Sequence, residues 1–224
     1  MTAETLDTES LRLAIYHALA RTGRAPGIDA LARDLSASEA GIRDGLRDLA
    51  KARHIVLGPD EAIVMAHPFA TVPLGFSVMG RETLWWGGCA WDSFALPHIV
   101  PDEPEVLVST RCPGCGKPHA WVVGRNAPPD GEQVAHFLLP VQRIWDDVLR
   151  ACGNQRLFCD PGCVDRWLAA TGNERGYVMD LATLWRLGSR WYEGRLERGY
   201  VRREPSAAAQ YFREVGLDGA FWGL

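Results

Sequence analysis

Cys89 and Asp92 set a thiol and a carboxyl three residues apart in the stretch Leu84-Trp85-Trp86-Gly87-Gly88-Cys89-Ala90-Trp91-Asp92-Ser93-Phe94-Ala95-Leu96-Pro97. Gly87-Gly88 ends the apolar run before it, and the segment that follows, closing before Pro97, has the length of a short helix. On a helix, residues i and i+3 are neighbours, so one small ligand can touch both groups. In the first turn the helix dipole favours the thiolate of Cys89. Asp92, crowded by Trp85, Trp86 and Trp91, is a carboxyl placed to hold a proton and pass it on. A thiol that binds and an acid that delivers a proton are the parts of an acid-assisted bond cleavage. The plainer reading of the same residues is a buried free cysteine beside an aspartate that caps a helix.

The other five cysteines are Cys112, Cys115, Cys152, Cys159 and Cys163. Cys112-Pro113-Gly114-Cys115-Gly116 is a tight knuckle that points two sulfurs the same way, half of a tetrahedral zinc site. Cys159-Asp160-Pro161-Gly162-Cys163 straddles a strand end and a helix start and supplies the other half. Together they read as a four-thiolate zinc site of the treble-clef kind. A competing reading leaves Cys159 free to face Cys89, and a third leaves some of these thiols merely buried. Cys152 fits neither group and reads as a core or surface thiol.

These residues must be positioned by an α+β chain. Ser10–Arg21 carries apolar residues at Leu11, Ala14, Ile15, Ala18 and Leu19, one helical stripe. Ile28–Leu35 reads as a second helix, and Ser36-Ala37-Ser38-Glu39 as a capping box opening a third that buries Ile42, Leu46 and Leu49. A hairpin, His54–Leu57 with Ala62–Met65, completes a winged-helix-like module over 1–66. Its third helix carries Arg43, Arg47 and Lys51, but Glu39, Asp44 and Asp48 offset them, a poor electrostatic footprint for DNA. Residues 67–224 form the catalytic unit. Short strands are expected at Phe76–Met79, Glu82–Trp86, Val106–Ser109, His119–Val123 and Ala135–Leu139, in a small mixed or antiparallel sheet. Helices are expected at Val141–Arg150, Gly162–Ala170, Leu181–Leu196 and Ser206–Glu214, packed through Trp145, Trp167, Trp185 and Trp191.

The net charge of −4 gives no general affinity for nucleic acid or an anionic membrane. No apolar run approaches the ~20 residues that span a bilayer. The start, Met1-Thr2-Ala3-Glu4-Thr5, is acidic and does not read as a signal peptide. The expected location is cytoplasmic, where thiols stay reduced and the cysteines serve as ligands or nucleophiles rather than disulfides.

The block Trp86-Gly87-Gly88-Cys89-Ala90-Trp91-Asp92, followed by Phe158-Cys159 behind a winged-helix-like region, resembles the organomercurial (alkylmercury) lyases. His67-Pro68-Phe69, Val72-Pro73, Trp145-Asp146-Asp147, Asp165-Arg166-Trp167, Trp191-Tyr192 and Gly219-Ala220-Phe221-Trp222 extend the resemblance through most of the chain. It implies protonolysis of a carbon–mercury bond by two cysteines and an aspartate: Cys89, Cys159 and Asp92. Thiolates suit mercury because both are soft. Hydrocarbon leaves, and mercury(II) stays between Cys89 and Cys159 until external thiols or a mercury-accepting protein take it. No organic cofactor is implied. If zinc holds Cys159 instead, the chain is a zinc-containing relative acting on another soft or polarised small molecule, in biosynthesis or another lyase reaction. The remaining alternative is a winged-helix metal-responsive regulator.

Overall fold

In the computed structural model, which describes residues 6–224, helix α1 spans Thr8–Thr22 because both of its ends are capped. The Asp7 carboxylate accepts from the N–H groups of Glu9 and Ser10, and Gly23, at φ +68°, closes the last turn. The reading of the first five residues lies outside the described residues. Helix α2 spans Ile28–Asp34 and α3 Glu39–Lys51. The capping box expected from Ser36 does not form: Ser36 sits at φ 51°, and Ser38 Oγ accepts from Gly41 N at 3.1 Å instead.

The hairpin β1 (Val56–Leu57) and β2 (Ile63–Ala66) follows α3. Its second strand pairs with β3 (Phe69–Ala70), which pairs with β5 (Leu84–Gly87). One antiparallel sheet thus runs through residues 66 and 67 and on to β4 (Phe76–Met79), β6 (Glu105–Arg111) and β7 (Pro118–Gly124), in the order β1-β2-β3-β5-β4-β6-β7. Trp85 fastens α1 to this sheet, its indole N–H donating to Leu19 O at 2.9 Å. A second antiparallel sheet holds β8 (Val134–Phe137), β9 (Gln155–Phe158) and β10 (Tyr177–Asp180), with β8 central. Helices pack on these sheets, an α+β fold as expected.

Helix α4 (Ala90–Ile99) lies at the centre, with every residue from Ala90 to Pro97 buried. It does not stop before Pro97. The Arg125 guanidinium gathers the carbonyls of Pro97, Val100 and Pro101 at 2.5–3.0 Å, satisfying the acceptors that a helix end leaves open. The helix expected over Val141–Arg150 is broken: a 3₁₀ stretch at Val141–Asp146 gives way at Asp147, which is extended and caps α5 (Val148–Gly153). Helix α6 spans Pro161–Thr171. Helix α7 spans Leu181–Ser189 and ends seven residues before the expected Leu196. There the Tyr211 hydroxyl, from α8 (Pro205–Glu214), donates to Arg186 O or Leu187 O and accepts from Arg190 N. This early stop lets Trp191, Tyr192 and Arg195 turn towards α4.

Candidate active site

Strand β5 leads into Gly87-Gly88 and then Cys89, the N-cap of α4. Both glycines are required by close approach: a Cβ on Gly87 would overlap Ser93 Oγ, and one on Gly88 would overlap Asp92 Oδ2. The turn presses Cys89 against Asp92. The thiol lies 3.2 Å from Asp92 Oδ2 and accepts from Asp92 N at 3.4 Å. His67, brought in at the end of β2, places Nδ1 3.2 Å from the same Oδ2. The Tyr192 hydroxyl donates to Oδ1 at 2.5 Å. Asp92 is 1% exposed and satisfied on both oxygens.

The second sulfur here is Cys152, from α5. Its Sγ and ligand atoms of His67 and Asp92 all lie within 4.8 Å of one another. Cys89, Asp92, Cys152, His67 and Tyr192 all line one cavity of about 540 Å³, walled also by Trp145 and Trp191. Two of the tryptophans expected only to pack helices therefore face this space. Trp145 stands edge-on to His67, and Trp191 tilts against Trp91 at 4.7 Å between ring centres. The cavity is large enough for a small organic molecule.

Burial decides the protonation of the sulfurs. Cys89 is held well above the ordinary thiol range by desolvation first, then by Cys152 and the Asp92 charge. The thiolate expected from its helix-start position does not survive this burial. For Cys152, hydrogen bonding with Cys89 pulls downward, but desolvation and Asp92 outweigh it and the thiol is raised as well. Tyr192 is raised well above the usual phenol range by burial and the Asp92 charge, so it stays a donor. The cavity at neutral pH thus holds two thiols beside a hydrogen-bonded carboxyl.

The expected meeting of Cys159 with Cys89 does not occur. Cys159 follows β9 and joins Cys112, Cys115 and Cys163 in a separate cluster whose sulfurs all lie within 4.8 Å of one another. Its Sγ is 3.4 Å from Cys115 Sγ and 3.2 Å from His119 Nε2. Asp160 caps α6 by accepting from Cys163 N at 2.8 Å, which turns both cysteines to the knuckle. Gly114 is needed because a Cβ there would overlap the Cys163 carbonyl. Arg166 donates to Cys163 Sγ at 2.7 Å, a cation suited to thiolates. Tetrahedral zinc with ~2.3 Å bonds needs sulfurs about 3.8 Å apart, and here one pair lies at 3.4 Å and all four sulfurs lie within 4.8 Å of one another. The four cysteines therefore fit a structural zinc, and the sulfur that stands beside Cys89 in the cavity is that of Cys152 rather than Cys159. Cys152, expected as a core or surface thiol, is buried and lines the cavity, although nothing in its immediate sequence sets it apart.

A family profile described as alkylmercury lyase matches residues 69–193. Among solved structures, the mercury-bound form of MerB2 superposes with a TM-score of 0.63, at 19% identity over 86% of this chain and 93% of that one. No curated protein sequence matches.

Proposed function

The chain belongs to the alkylmercury lyase family, a family of lyases, and on that premise we propose that Cys89, Cys152 and Asp92 cleave the carbon–mercury bond of an organomercurial. The observation that carries this reading is the pair of thiols beside Asp92 in one cavity. Mercury, a soft ion, exchanges its outgoing ligand for Cys89, and the thiol proton passes to Asp92, 3.2 Å away. Cys152 adds to the same mercury, and its proton leaves with the displaced ligand as HX. Two sulfurs push electron density onto the bound carbon, and Asp92 protonates that carbon as the carbon–mercury bond breaks. In balance, R–Hg–X and two thiols become R–H, HX and mercury held by two sulfurs. Tyr192 and His67 keep the carboxyl aimed throughout.

Zinc on Cys112, Cys115, Cys159 and Cys163 is the companion proposal. Bound there, it would supply no chemistry to the cavity and would lock the end of β9 to the start of α6. Mercury leaves with an external thiol or an accepting protein.

Two substitutions separate the sulfurs. In excess thiol, Cys152→Ser should stop hydrocarbon release from phenylmercury while about one zinc per chain remains after purification. Cys159→Ser should lose zinc and thermal stability while the folded fraction keeps its turnover. If Cys159→Ser abolished turnover with zinc retained and Cys152→Ser did not, the assignment of the second sulfur would be wrong.

A further inference from the structure

Arg195 lies on the wall of the same cavity and is only 4% exposed. Its Nε and Nη1 are buried without a hydrogen-bond partner, and among the described residues it forms no ion pair. What holds it is aromatic: its guanidinium lies 4.6 Å from the Tyr200 ring centre, 5.1 Å from Tyr192 and 5.5 Å from Tyr16. Rings stabilise a cation but accept none of its hydrogen bonds, and a buried charge without its counter-ion is costly. Arg53 and Arg202 also line the cavity, flanking Trp145 at 5.5 and 4.8 Å from its ring. Arg203 lines it too, with a buried unpartnered Nε. Against these four cations the lining offers two acids, Asp92 and Glu204. Asp92 is already committed to Tyr192, Cys89 and His67.

We infer that Arg195 is the centre of a carboxylate-binding subsite, which takes an acidic group carried by the organomercurial or by the thiol attached to its mercury. The inference rests on the lyase reading, because it assigns the cavity's cationic wall to the same substrate. A guanidinium forks onto a carboxylate through two parallel N–H donors, Nε with Nη2 or Nη1 with Nη2, so either fork on Arg195 would satisfy one of its two orphaned nitrogens. The subsite would orient mercury towards Cys89 and Cys152 without touching the reacting carbon, so Arg195 is a positioning residue.

The two carriers are separated by two arms. One compares phenylmercury with 4-carboxyphenylmercury, both in 2-mercaptoethanol. The other compares phenylmercury in 2-mercaptoethanol with phenylmercury in mercaptoacetate. In at least one arm the carboxylate should lower KM by roughly tenfold or more, and Arg195→Gln should bring that ratio close to one. A ratio near one in both arms of the wild type, or a preference that persists in Arg195→Gln, overturns the subsite. Should Arg195→Gln fail to fold, calorimetric titration of the wild type with benzoate and with benzamide decides the matter. Benzoate binding that weakens with salt and is not matched by benzamide supports the subsite, and equal or absent binding of both overturns it. That titration needs no turnover, so a protein that cleaves no organomercurial but prefers benzoate would lose the lyase reading and keep the anion site.

Discussion

Replacing Asp92 by Asn removes the transferable proton and changes almost nothing else in shape. The Tyr192 hydroxyl, now 2.5 Å from Oδ1, can keep donating to the amide oxygen. The amide nitrogen would then face Cys89 Sγ and His67 Nδ1, both 3.2 Å from the present Oδ2, and each can accept once its proton sits elsewhere. The fold therefore loses the charge-assisted part of two hydrogen bonds, a cost of about 1–3 kcal/mol. For a chain of this size that lowers Tm by roughly 2–12 °C, well short of unfolding at the bench. Proton delivery at the reacting bond contributes about 10²–10⁴-fold, or roughly 3–5 kcal/mol of barrier. The assay is single-turnover release of benzene from phenylmercury in excess thiol, with mercury retained on the protein measured in parallel. Asp92→Asn should still take up the organomercurial on its sulfurs and release hydrocarbon at least a hundredfold more slowly. Release within threefold of the wild type, with the variant folded, would show that the proton comes from another group, and the role given to Asp92 would fall.

The histidines make the fold sensitive to acid in a defined window. His54, His98 and His136 are each lowered to about 4, chiefly by burial, and His136 Nε2 accepts from Gly176 N at 3.0 Å in its neutral form. Between the ordinary histidine value of ~6.5 and about 4, the unfolded chain binds protons that the folded chain refuses, so stability falls as pH falls through that range. Thermal denaturation between pH 7 and pH 4 should show a continuous decline in Tm, and a flat profile would contradict it. Gly88→Ala puts a methyl group into Asp92 Oδ2 and close to Met65 Cε. It should displace the carboxyl, cut turnover by tenfold or more through lost alignment, and be distinguishable from simple unfolding by a circular dichroism spectrum that stays native-like. Wild-type turnover in Gly88→Ala would mean that the β5–α4 turn has slack that the packing does not reveal.

The Cys89–Asp92 pair was legible because it is a local relation: three residues at one helix start, whose spacing alone puts both groups on one side. The Cys112–Cys115 knuckle was legible for the same reason, with its Pro and Gly pointing two sulfurs inward within five residues. What local pattern could not decide was which distant sulfur answers Cys89. Cys152 and Cys159 flank the same strand, β9, and only tertiary contacts separate them: Asp160 ties Cys159 to the knuckle, whereas α5 turns Cys152 into the cavity. The family resemblance favoured Cys159 because it follows a phenylalanine in a recognisable block, which is a statement about sequence rather than about reach. Asp92's other partners were hidden by distance along the chain, with His67 25 residues away and Tyr192 100. His67 arrives only because β2 pairs with β3 and so continues into the main sheet, and Tyr192 only because Tyr211 stops α7 early. Burial also reversed the charge state read from the helix start, since a dipole worth about 0.3–1 kcal/mol at an exposed site cannot hold a thiolate against full desolvation beside a carboxylate. The division of sulfurs therefore has a physical logic of its own. A residue tied into a cluster of four thiols is held away from Asp92, so a soft ion bound there would not meet the acid, and the thiol that shares the acid's cavity becomes the one to test first.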